Sequence, residues 1–239
     1  METFFLIGVS FLTSTCTAIT GMGGGIMLIS AMPGLLPAAA IVPVHGAVQL
    51  ASNSSRVLLG LRHIEWRIFW PFLAGAILGA VVGSRAIIRL SFDYLPLYLG
   101  AFILLVTWIP IPKRSFRLPG HFAILGALQT FLSLFVGVSG PLTNAFLVRE
   151  DLPKDRLVIT HGITMTATHL CKILVFGFIG FVYTPYLPLI AGMLVAVIAG
   201  SWFGTKIRDH LSEIFFRKVF KTLITLLSLR MIINALYSV

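Results

Sequence analysis

Thr20-Gly21-Met22-Gly23-Gly24-Gly25, inside an apolar run from Phe4 to Met32, is the stretch that decides how the rest of the chain is read. Four glycines in five residues break a helix, since each disfavours helix by roughly 1 kcal/mol relative to alanine. In hydrocarbon the freed backbone groups must find partners, so such a break survives only when buried in protein or lining a polar cavity. Helix ends then lie at membrane depth, with unpaired N–H groups and a partial positive charge directed inward. Backbone arranged in that way binds anions. A glycine-rich packing kink is the plainer reading, and one such motif alone does not separate the two.

The motif occurs twice. Gly21-Met22-Gly23-Gly24-Gly25 is echoed by Gly137-Val138-Ser139-Gly140-Pro141, His45-Gly46 by His161-Gly162, and Arg56 by Lys172, each pair 116 positions apart. Further on, Gly83-Ser84 matches Gly200-Ser201 and Leu90-Ser91 matches Leu211-Ser212 after small insertions. Three matches at one offset indicate a duplication. The halves expected are 1–112 and 119–239, joined at 113–118 by the core of the basic, proline-rich stretch Pro110 to Pro119.

Composition places both halves in a membrane. Of 239 residues, 57% are hydrophobic and 11% charged, where a soluble domain carries about a quarter charged residues. The apolar segments run roughly 3–32 (broken), 42–61, 68–88 and 95–110, then 119–147 (broken), 157–178, 186–205 and 216–237. Most unbroken ones are near the ~20 residues a crossing helix needs. Met1-Glu2-Thr3-Phe4 has no basic stretch or evident cleavage site, so no removable signal peptide is expected. Cys16 and Cys171 both lie in apolar segments and read as small buried hydrophobes, giving neither a disulfide nor a metal site. No cofactor is called for. The net charge of +10 reads as anchoring of cytoplasmic loops, with an anionic ligand as a second contributor, and not as nucleic-acid binding.

Charge selects the topology. If each broken segment crossed once, basic residues such as Arg62, Lys113 and Arg114 would face one side and Arg85, Arg149, Lys206 and Lys218 the other. If each enters and returns as a re-entrant hairpin, the loops at 62–67, 111–118, 148–156 and 206–221 share one side, and the other keeps 33–41 and 179–186, both without Lys or Arg, and the short 89–94 loop. Only this second arrangement obeys the positive-inside rule. The expected fold is therefore an all-α integral membrane protein of two inverted repeats, each a broken, re-entrant hairpin segment followed by three transmembrane helices.

The polar residues cluster on two of those helices. His45, Gln49, Asn53 and Arg56 recur at helical spacing on one face, and His161, Thr164, Thr168 and Lys172 do so on the equivalent helix, with His169 nearby. Intramembrane cations cost at least about 2.5 kcal/mol at a helix centre, so they normally face the bundle interior and mark a pathway. Snorkelling to an interface is the alternative for Arg56 and Lys172, since both lie near a helix end. All eight carboxylates, by contrast, fall in loops or at segment ends. An interior with cations, amides, hydroxyls and glycine breaks but no Asp or Glu suits an anion. A coupled proton, if there is one, falls to His45, His161 or His169.

These residues resemble the sulfite exporter TauE/SafE family of bacterial membrane transporters. The resemblance rests on the break Gly21–Gly25, its partner Gly137-Val-Ser-Gly-Pro141, and the stretch Lys172-Ile-Leu-Val-Phe-Gly177 that follows. It extends over essentially the whole chain, with specificity in the order and spacing of short motifs. It implies export of sulfur oxyanions, sulfite or sulfonates, across the bacterial inner membrane; the particular anion does not carry over. Ser139 and Pro141 depart from an all-glycine run, although proline at a first helical turn is well tolerated.

The expected function is thus secondary transport of a small anion held between the two broken segments, as in inverted-repeat transporters generally. Gly21, Gly23, Gly24, Gly25, Ser139 and Gly140 would supply backbone donors. Thr20, Gln49, Asn53, Asn144 and Thr164 would orient the ligand, with His45 and His161 beside it and Arg56 and Lys172 supplying the field. An anion channel or uniporter for other oxyanions or carboxylates would use the same parts. An enzyme lacks its nucleophile–base pair here: His45 has no carboxylate partner and Ser139 no adjacent base. A sensory or assembly subunit would not need polar residues matched across two halves. The partners expected are a small anion and the lipid bilayer, with a homodimer left open.

Overall fold

The computed structural model describes residues 2–20, 23–58, 60–88, 95–108, 120–137, 140–207 and 213–237, apart from a few side chains within them. They form ten α-helices. These are α1 (Glu2–Thr20), α2 (Gly24–Ala31), α3 (Ala38–Leu58), α4 (Trp66–Ile87), α5 (Leu95–Trp108), α6 (His121–Val136), α7 (Gly140–Leu147), α8 (Lys154–Phe178), α9 (Leu187–Ile207) and α10 (Glu213–Tyr237). Each apolar segment of the sequence is one helix, or two where glycines were expected to break it. Among the described residues four helical stretches are long and apolar enough to cross a membrane: Glu2–Ile19, Trp66–Ile87, Asp155–Phe178 and Thr184–Gly204.

The breaks are backbone reversals. Gly23, before α2, has φ +95°, and Gly137, after α6, has φ +68°, left-handed conformations that residues with a Cβ rarely adopt. After the first break the chain doubles back: Gly24 N donates to Thr17 Oγ1 at 2.9 Å, and a Cβ on Gly24 would lie 2.1 Å from the Thr13 carbonyl oxygen. At 19 residues and about 28 Å, α1 is longer than a half-entry requires; the 8-residue α2, about 12 Å, is the short arm.

Four pairings build the bundle: α1 with α9, α4 with α6, α3 with α8, and α5 with α10. Exchanging α1–α5 for α6–α10 leaves this set unchanged. The first two pairs run parallel and close. Gly75 and Gly79 of α4 lie against the Ala123 and Ala127 carbonyls, and Gly200 and Gly204 of α9 against those of Phe11 and Thr15. Ser14 Oγ adds a bond to Val197 O at 2.6 Å. Small residues are what allow membrane helices to approach so closely. The other two pairs are antiparallel: Gly46 lies against Lys172 and Ile173, whereas Gly162 lies against Val57. Likewise Gly100 meets Ile232, and Trp108 Nε1 donates to Thr225 Oγ1. Outward faces are apolar, with Leu78, Val82, Ile124 and Leu128 exposed as a lipid-facing surface requires.

Ion pairs tie two basic loops together. Glu65 receives Arg156 and Arg67, Arg67 also approaches Glu150 at 3.8 Å, and Glu65 N donates to Thr160 Oγ1 at 3.0 Å. The hydrogen bond from Arg156 holds the Glu65 carboxyl below the usual carboxylate range. The segments 60–67 and 148–160 therefore lie at one end of the bundle, and 179–186 lies at the far end of the 25-residue α8. With Cys16 and Cys171 replaced, single cysteines at positions 62 and 152 should react with an impermeant maleimide from one side of the membrane, and one at 182 from the other. Reaction of 62 and 182 from the same side would refute this topology.

Candidate functional site

Helices α3 and α8 cross at the centre of the bundle, and the polar faces read from the sequence meet there. Between them and the starts of α2 and α7 is a cavity of about 50 Å³, space for roughly three to five waters. It is lined by Gly23, Gly25, His45, Gln49, Asn53, Arg56, Gly140 and His161, all expected from the sequence. The sequence-based set lacked Thr17, Ile26, Gly137, Pro141, Met165, Thr168 and His169, which line it too. No carboxylate is among the described lining residues.

The short helices are held in place by side chains. His45 Nε2 lies 2.9 Å from Gly25 O, and His161 Nε2 lies 3.2 Å from Gly140 O. A carbonyl only accepts, so each ring donates through Nε2 and pins the first turn of α2 or α7. On α7, Thr143 N and Oγ1 both donate to Gln129 Oε1, a fully buried amide of α6 whose Nε2 reaches Thr168 Oγ1 at 3.4 Å. A Cβ at Gly25 would stand 3.3 Å from the Gln49 amide carbon, so α3 approaches the α2 start through that side chain.

The two cations are placed differently. Arg56 is partly exposed to the cavity; its Nε donates to Ser52 O at 3.2 Å and its Nη2 to Asn53 Oδ1 at 3.0 Å. It has no carboxylate partner among the described residues. Lys172 is fully buried and not a lining residue: its Nζ donates to Gly137 O at 2.7 Å and lies 3.3 Å from His169 Nδ1. A cation at the C-terminal carbonyls of α6 is favourably placed in the helix dipole. Three further expected residues lie away from the cavity. Gly24 packs on α1, Thr164 donates to His161 O at 2.8 Å, and Asn144 is half-buried on α7. The Thr20 side chain, Gly21 and Ser139 lie outside the described residues.

Of the lining residues outside the sequence-based set, Thr168 and His169 are placed by the sequence on or beside the polar face of the second-half helix, though neither is assigned to the ligand. Thr168 stands on the polar face of α8, and the 116-residue offset maps Asn53 onto His169. Thr17 and Met165 carry no such signal, because an apolar or hydroxyl side chain in a membrane helix reads as packing.

Apolar outer helices around a small cavity with a cation, amides and broken helix ends are the arrangement of a multi-pass membrane protein with a polar interior site. The chain belongs to the sulfite exporter TauE/SafE family, whose model matches residues 6–231. It is also similar to the probable sulfite/organosulfonate exporter TauE of Cupriavidus necator, with 33% identity over 132 residues, 52% of each chain. The match thus spans about half the length of that relative. No solved structure matches the chain.

Proposed function

We propose that this protein exports a small sulfur-containing anion of the sulfite or sulfonate class, through the cavity between its two broken segments. The observation that carries the reading is the cavity lining: Arg56 with Gln49, Asn53 and the glycine starts of α2 and α7, and no Asp or Glu among the described lining residues. A volume of about 50 Å³ suits a compact oxyanion head. Family membership and the name of the Cupriavidus relative agree with a sulfur oxyanion. The halves 1–112 and 119–239 are read as inverted repeats in a bacterial inner membrane. Two pairs of equivalent helices, α3 with α8 and α5 with α10, run antiparallel, as a two-fold axis in the membrane plane requires.

With no carboxylate among the described lining residues, the reading is that export runs on voltage without sodium. Each negative charge leaving a cell that is inside-negative by 100 mV releases about 2.3 kcal/mol, enough for a gradient of roughly fortyfold for a monoanion. Flux of sulfite and sulfonates from proteoliposomes, with voltage set by potassium and valinomycin at equal pH and without sodium, is expected to follow voltage. Saturation and counterflow would distinguish a transporter from a channel. Flux that ignores voltage and follows an imposed pH gradient would overturn the uncoupled mechanism.

A further inference from the structure

Three histidines line the cavity, and two are already committed. His45 and His161 each use Nε2–H on a glycine carbonyl, of Gly25 and Gly140. His169 differs. Its Nδ1 lies 3.3 Å from Lys172 Nζ; a charged Lys172 only donates, and with it Nδ1 is the accepting, unprotonated nitrogen. The ring proton of neutral His169 is then on Nε2, and the side-chain hydrogen bond that His169 makes among the described residues is the one at Nδ1. Lys172 is held firmly in this role. It also donates to Gly137 O at 2.7 Å, and its stem crosses Gly46, where a Cβ would meet Cδ at 2.8 Å.

We infer that His169 is the ring donor of the anion site: its Nε2–H enters the cavity, and Lys172 is a positioning residue that fixes this tautomer without touching the ligand. The inference rests on the anion reading of the cavity. The repeat supports it independently. The 116-residue offset carries Asn53 and Arg56 onto His169 and Lys172, and in both halves the cation contacts the side chain three residues before it, at 3.0 Å and 3.3 Å. Arg56 itself reaches the cavity, whereas Lys172 reaches it only through the ring that it orients. The ligand this suits is an oxyanion presenting deprotonated oxygens, since the Arg56 guanidinium and the His169 N–H both donate.

The test combines a ligand-free and a ligand-dependent reading. In protein reconstituted in bilayers with 15N-histidine, the His169 signals are identified by their loss in His169→Gln. Solid-state NMR is expected to show the Nε2–H tautomer in the parent and a shift toward Nδ1–H in Lys172→Met. An Nδ1–H ring in the parent, or a tautomer that ignores Lys172→Met, overturns the positioning role. Sulfite binding to purified protein gives the second reading. His169→Gln keeps an amide N–H near the Nε2 position and is expected to bind within about threefold of the parent, while His169→Leu weakens binding roughly 10- to 100-fold, the loss of one hydrogen bond to a charged group. Parent-like binding by His169→Leu overturns the donor role while leaving the anion reading intact. A parent that binds neither sulfite nor another oxyanion overturns that reading and the donor role with it, whatever the tautomer.

Discussion

Arg56→Gln is expected to weaken oxyanion binding by at least roughly thirtyfold, because removing a buried charge that pairs with the ligand costs about 2 kcal/mol or more. Binding should also lose most of its salt dependence, since a full charge beside the ligand is gone. The protein itself should not suffer. Arg56 has no carboxylate partner among the described residues, and its bonds go to Ser52 O and Asn53 Oδ1 of its own helix. A cation held without a counter-ion opposes folding, so the melting temperature of Arg56→Gln should equal or exceed that of the parent. Arg56→Lys, which keeps the charge and loses the planar fork, should fall between the two in affinity. Titration calorimetry with sulfite at several salt concentrations, beside thermal unfolding in detergent, makes both measurements. An Arg56→Gln protein that binds like the parent at every salt concentration would reduce this arginine to a helix-end residue.

The second large effect concerns stability. Gly75→Ala or Gly79→Ala should lower the melting temperature and the yield of folded protein, since the added Cβ would lie 1.8 Å or 2.1 Å from a backbone carbonyl oxygen of α6. Backbone cannot rotate out of the way as a side chain can, so α4 and α6 must separate along their length. Overpacking of that kind costs about 1–3 kcal/mol, more where a whole helix pair is displaced. Gly200→Ala should behave alike in the other parallel pair, its Cβ falling 2.3 Å from Phe11 O. Gly177→Ala is the control: it is exposed near the end of α8 with nothing within 4 Å of the new Cβ. There the higher helix propensity of alanine should leave stability unchanged or raise it by up to about 1 kcal/mol. Equal melting temperatures for Gly79→Ala and Gly177→Ala would contradict the close packing.

The sequence by itself determined the membrane class, the segments and the two breaks, because these depend on local properties. Hydropathy over ~20 residues marks a crossing, glycine clusters interrupt it, and helical period puts His45, Gln49, Asn53 and Arg56 on one face whatever the rest of the chain does. The 116-residue offset likewise aligned the halves without any knowledge of their packing. Only the tertiary structure decided what each polar group does. His45 and His161 are alike in sequence and both end on glycine carbonyls, whereas His169 keeps an N–H for the cavity. Arg56 and Lys172 are equivalent by offset, yet one lines the cavity and the other is buried on Gly137 O. A hydrogen-bond partner 20 or 35 positions away is chosen by the path of the backbone between helices. Periodicity carries no information about that path, and so it shows the face a side chain stands on but not the atom that meets it.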